Sequence, residues 1–119
     1  MRTYWELERC LTLVDQSALG RDRKLLRWIM AEVPSVVYWL PHYAKLGIHG
    51  VSIGSNDLTQ LMLGVDRDSN VCAELFDESD PAVLDAITRI IRAATAHGLT
   101  SSLCGQLTSN GSNPFSATI

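Results

Sequence analysis

Two carboxylates and a thiol stand where short apolar runs give way to polar residues. Glu32 follows Ile29-Met30-Ala31, Asp57 follows Val51-Ser52-Ile53-Gly54-Ser55-Asn56, and Cys104 follows Ser101-Ser102-Leu103. An apolar strand that stops at a polar cluster is the usual layout of a site at the carboxyl edge of a parallel sheet. Glu32 and Asp57 are hard oxygen donors, a pair suited to Mg²⁺ or Mn²⁺, ions that keep coordination positions for water and substrate oxygens. Ser55 and Asn56 add neutral hydrogen-bonding groups, and Gly54 lets a ligand approach the backbone. A thiol opposite a metal-held substrate can give or take a proton. Each residue also has a plainer reading: Asp57 as a helix N-cap, Glu32 as a solvated residue ahead of Pro34, Cys104 as a small buried apolar group.

Alternating helices and strands must position these groups. Thr3-Tyr4-Trp5-Glu6 has capping-box spacing, and Tyr4, Leu7, Leu11, Val14 and Ala18 continue it at helical period, with Gly20 as a stop. Residues 25–30 predict a strand, and residues 35–46 a helix closed by Gly47, with Pro41 threatening to split or kink it. A second strand is expected at 50–53. Asp57 and Gln60 then have capping spacing for a short helix over 58–63, ended by Gly64. Asp80 as N-cap and Pro81 at the first helical position open the strongest helix. Its buried face is Val83, Leu84, Ile87, Ile90, Ile91 and Ala94, with Gly98 past its end. A third strand is expected at 100–103. The alternation predicts an α/β chain with a parallel sheet and right-handed crossovers. Three strands are too few to close a barrel, and both edges would carry unpaired backbone groups. The sheet is thus part of a larger fold or completes itself by association.

Bulk properties narrow the function classes. The chain has 119 residues, 46% hydrophobic and 19% charged, as expected of a globular chain with a core. A net charge of -3 and a pI near 5.5 give no reason to expect nucleic acid or an anionic membrane as partner. No apolar run approaches the ~20 residues that cross a bilayer. No secretory pattern is visible in residues 1–8, and Cys10, Cys72 and Cys104 lack CxxC spacing, so reduced thiols in the cytoplasm are the expectation. The stretch 66–70 begins like an EF-hand loop, but Val71 stands where glycine is required. Trp5, Trp28 and Trp39 read as core or interface residues.

Four motifs carry a family resemblance. They are Ile29-Met30-Ala31-Glu32-Val33-Pro34-Ser35, Ser52-Ile53-Gly54-Ser55-Asn56-Asp57-Leu58-Thr59-Gln60, Leu63-Gly64-Val65-Asp66-Arg67-Asp68-Ser69 and Leu103-Cys104-Gly105-Gln106. In this order they resemble the phosphoenolpyruvate (PEP)-utilising enzymes, the family of PEP synthase, pyruvate phosphate dikinase and enzyme I of the sugar phosphotransferase system. The resemblance runs from about Arg2 to Gln106. It implies the late part of a TIM-type (β/α)8 barrel, with about three of its strands present. It further implies Mg²⁺ ligation by Glu32 and Asp57, contacts to pyruvate or PEP from Gly54, Ser55, Asn56 and Asp57, and an acid/base role for Cys104.

The departures limit what is expected of the chain. The family's nucleotide-binding and phosphohistidine domains have no counterpart here, nor do the earlier barrel strands that supply arginines. His42, His49 and His97 match no phosphohistidine motif. Residues 1–106 are therefore read as a partial PEP/pyruvate-binding barrel, and 107–119 as a polar, poorly ordered tail. The leading expectation is a piece of a PEP synthase-like phosphotransferase, inactive alone. A non-catalytic module that self-associates, or docks on a barrel lacking these strands, is the second reading, and an Mg²⁺-dependent 2-oxo acid lyase or aldolase the third.

Overall fold

The structure, a computed structural model, describes residues 1–66 and 73–104. Helix α1 (Tyr4–Gln16) is followed by a 3-10 turn (Ala18–Arg21), strand β1 (Trp28–Ala31), helix α2 (Val36–Lys45) and strand β2 (Gly50–Gly54). Helix α3 (Ser55–Leu63) begins directly at the end of β2; a short 3-10 turn (Ala73–Leu75), helix α4 (Pro81–Ala96) and strand β3 (Thr100–Cys104) complete the order. The sheet is parallel, in the order β1-β2-β3. This is the expected α/β alternation.

Strands β1 and β3 alternate, and in β2 only Ser52 is not fully buried. Ile29, Ala31, Val51, Ile53, Ser101 and Leu103 are buried, while Trp28, Met30, Thr100 and Cys104 are exposed and Ser52 and Ser102 half-buried. The buried set meets Leu40 and Tyr43 of α2 and Val83, Ile87, Ile90 and Ala94 of α4 in one core. All the helical packing thus lies on one face of the sheet, and the other face has no helix on it among the described residues. Such an arrangement is a two-layer segment cut from a barrel wall, whose bare face is the barrel's inner surface.

The local signals act as their chemistry dictates, with four shifts. Thr3 caps α1 by accepting from the Glu6 backbone N–H at 3.3 Å, and Asp80 caps α4 by accepting from Ala82 N–H at 2.8 Å. Helix α1 ends earlier than Gly20. The Ser17 hydroxyl donates to the Val14 carbonyl at 2.6 Å, and Gly20 sits inside the 3-10 turn, where a Cβ would lie 2.3 Å from that same carbonyl oxygen. Strand β1 starts three residues later than the apolar run, because Asp22 holds a turn by accepting from Lys24 N–H at 2.9 Å. Pro41 is housed inside one continuous α2, where a proline forfeits a single backbone donor. Helix α3 begins at Ser55 rather than at 58, with Gly54 as a cap that offers no side chain. The turn expected at 66–70 falls, after Asp66, outside the described residues, as does the tail.

Candidate functional site

The register brings three strand ends into line. Ala31 pairs with Ile53, and Gly54 with Cys104, so Glu32, one residue past Ala31, stands opposite Gly54 in the same pleat row as Cys104. Adjacent strands are about 4.8 Å apart, which puts the Glu32 and Cys104 backbones roughly 10 Å from each other. Between them lies the residue without a side chain. A Cβ on Gly54 would sit 2.8 Å from Glu32 Cγ and 3.0 Å from Oε1, so the glycine is needed to seat the glutamate stem. The sequence reading assigned Gly54 to ligand approach; its visible work is to let Glu32 lean across β2.

Asp57 is not the helix N-cap. Because α3 starts at Ser55, Asp57 lies within the first turn, where the helix dipole favours a negative charge, and its side chain is exposed. Its Oδ1 accepts a hydrogen bond from Gln60 Nε2 at 3.3 Å. Burial pushes the Glu32 carboxyl above its ordinary value, and the Asp57 charge and a hydrogen bond between the two side chains push it the same way. Two carboxylates held this close repel unless a proton or a cation lies between them. The donor set therefore fits a hard divalent ion bound by two protein oxygens and completed by water and substrate. Among the described residues no third His, Cys, Asp or Glu joins the pair.

The two carboxylates open onto a cleft of about 610 Å³, lined also by Val33, Gln60, Leu61 and Val65. Cys104 does not line this cleft; it lies across Gly54 at the edge of the bare sheet face. Its thiol is exposed, donates to the Ile53 carbonyl at 3.4 Å, and lies 3.4 Å from the Ser52 hydroxyl. Ser102 donates to Ser52 at 3.4 Å, which extends a hydroxyl row along the same face. Ser52 and Ser102 were not singled out from sequence, although period-two alternation places residues 52, 102 and 104 on one side.

Ser55 is fully buried, and its hydroxyl donates to the Cys104 carbonyl at 3.2 Å. Its own carbonyl accepts from the Thr59 hydroxyl at 2.6 Å. This side chain ties the start of α3 to the end of β3, so what it offers a ligand is backbone. Asn56 is half-buried in the first turn of α3, between Ser55 and Asp57. The structure thus brings together all the sequence-predicted residues at one end of the sheet, with the carboxylates on one side and the thiol on the other.

Comparison with known proteins shows the family. Residues 2–117 match the family described as PEP-utilising enzyme, PEP-binding domain. The chain is 53% identical over 108 residues to the phosphoenolpyruvate synthase of Aeropyrum pernix, covering 89% of this chain and 13% of that protein. It is 41% identical over 110 residues to the phosphoenolpyruvate synthase of Aquifex aeolicus, 92% of this chain and 13% of that protein. The Escherichia coli protein named phosphoenolpyruvate-dependent phosphotransferase system is 47% identical over 79 residues, 66% of this chain and 10% of that one. This chain therefore spans about an eighth or less of the relatives it matches. No helix among the described residues is long and apolar enough to cross a membrane.

Proposed function

Because the chain belongs to the PEP-utilising enzyme family, as a portion of its PEP-binding domain, we propose that it carries part of the PEP/pyruvate site of a PEP synthase-like phosphotransferase. The observation that carries the reading is the pleat row Glu32–Gly54–Cys104, with Asp57 beside Glu32 on one cleft. Glu32 and Asp57 would hold Mg²⁺, or Mn²⁺ in its place, and the ion would supply Lewis-acid polarisation of the 2-oxo group of pyruvate. The first turn of α3 points the positive end of its helix dipole toward a substrate oxygen, as helix N-termini do for anions. Asp57, in the same turn, orients the substrate beside Glu32.

Cys104 works from the other side of Gly54. In the direction of PEP synthesis its thiolate takes a proton from the pyruvate methyl carbon; the electron pair of the broken C–H bond forms the carbon 2–carbon 3 double bond, and the carbonyl π pair moves to the oxygen. In reverse, the thiol returns that proton to carbon 3. Phosphoryl transfer to the enolate oxygen needs a phosphohistidine, and His42, His49 and His97 match no such motif. The residues of this stretch supply binding and proton transfer.

Titration calorimetry with oxalate, which mimics the enolate, tests the proposal. Oxalate should bind only when Mg²⁺ is present. Glu32→Gln should weaken binding at least about tenfold, or ~1.4 kcal/mol, while Cys104→Ser should leave the affinity nearly unchanged. Mg²⁺-independent oxalate binding, or equal binding by Glu32→Gln, would remove the basis for the assignment.

A further inference from the structure

A group that takes a proton in one direction and returns it in the other needs a partner for each of its forms. The Cys104 sulfur finds two on adjacent residues of β2. Gly54, its direct partner across the ladder, has no side chain, so the β2 side chain that meets the sulfur is the diagonal one, Ser52. The contacts around Ser52 decide where the hydrogens point. The Cys104 thiol donates to the Ile53 carbonyl at 3.4 Å. Ser102, directly opposite Ser52 in the register, donates its hydroxyl to Ser52 Oγ at 3.4 Å. The other neighbour of Ser52 Oγ is the Cys104 sulfur, also at 3.4 Å. A hydroxyl has one hydrogen to give and accepts through its lone pairs. With Ser102 donating to it, Ser52 keeps that hydrogen for the sulfur. Ser52 and Ser102 are half-buried and the thiol is exposed, so the row runs along the bare face and ends at an open sulfur.

We propose that Ser52 is a positioning residue for Cys104: its hydroxyl donates to the sulfur and steadies the thiolate, and Ser102 holds that hydroxyl in the donating orientation. The Ile53 carbonyl serves the protonated form, because it accepts from S–H and has nothing to donate to an anion. When the thiol loses its proton, the bond from Ser52 becomes charge-assisted and strengthens. The sulfur is thus partnered on either side of a proton transfer without moving from its place in the strand. The proposal rests on the acid/base reading of Cys104 given above. It concerns the sulfur and two hydroxyls, with neither a metal nor a 2-oxo acid present, so oxalate titration and the measurement below can fail separately.

Iodoacetamide is the probe, because the thiolate is the form that displaces iodide and makes the new carbon–sulfur bond. The metal-free 119-residue chain is labelled at neutral pH and followed at Cys104 by peptide mass spectrometry, with exposed Cys10 as the internal reference. Threonine and valine have nearly the same shape at position 52 and differ by the hydroxyl. Ser52→Thr should label Cys104 at close to the parent rate, and Ser52→Val at least about threefold more slowly. Cys10 should label alike in both. Ser102→Ala should slow Cys104 in the parent chain and have no further effect in Ser52→Val, because the two hydroxyls act in series. Equal Cys104 rates in the threonine and valine variants would overturn the proposal, as would a Ser102→Ala effect that persists without the Ser52 hydroxyl. Should far-UV circular dichroism show that valine disturbs the strand, Ser52→Ala, which only removes an atom, decides the matter by the same threshold.

Discussion

Glu32 gathers the opposing forces of the site in one side chain. Its stem crosses Gly54, its carboxyl meets Asp57, and burial with the neighbouring charge favours its protonated form. A carboxyl whose pKa is raised on folding contributes stability below the ordinary carboxylate range, and that contribution is lost as pH rises through the raised value. The melting temperature of the metal-free chain relative to its Glu32→Gln variant should therefore fall as pH rises above the ordinary carboxylate value of about 4. Thermal melts of both proteins from that pH upward check this, and a flat difference would refute it. That Glu32, Asp57 and Cys104 gather at one end of the sheet was legible because each follows an apolar run. What the fold does with Gly54 and Ser55 was not legible. Both depend on neighbours distant in sequence: the Glu32 stem in one case, the Cys104 carbonyl in the other.

At the scale of elements, caps and periodicity read well where one local signal acts alone. Asp80 and Pro81 open α4 where expected, and its buried face holds Val83, Ile87, Ile90 and Ala94, with Leu84 and Ile91 only half-buried. Asp80→Ala should cost about 1 kcal/mol, measured by urea denaturation, because Ala82 N–H would lose its acceptor. The reading went astray where two signals compete. Asp57 and Gln60 have the spacing of a cap, yet the sharp turn from β2 into α3 at Gly54 starts the helix sooner and leaves Asp57 in the first turn. Similarly, the apolar residues Leu25 and Leu26 look like strand, but they face an apolar groove under α1 while the Asp22 turn delays β1.

For the molecule as a whole, the α/β alternation was legible from sequence, and so was the shortage of strands. That α1 packs on α2 and the following 3-10 turn was not, because it depends on where the helix stands in space. The two faces of the sheet also differ in what they tolerate. Leu103 is buried against the helices and Ser102, its neighbour in sequence, faces the other way. Leu103→Ala should cost roughly 2–5 kcal/mol and Ser102→Ala no more than about 0.5 kcal/mol in the same denaturation assay. Similar losses at both positions would mean that the bare face is packed in solution.

That division follows the parity of the residue numbers. Odd positions in all three strands (29, 31, 51, 53, 101 and 103) form the core, and even ones (28, 30, 50, 52, 54, 100, 102 and 104) line the bare face, with Glu32 continuing the even series at the rim. Heritable change can therefore act on the two sets almost independently. A lineage could rework hydroxyls, thiols and carboxylates at even positions toward a new substrate while the odd positions keep the scaffold folded.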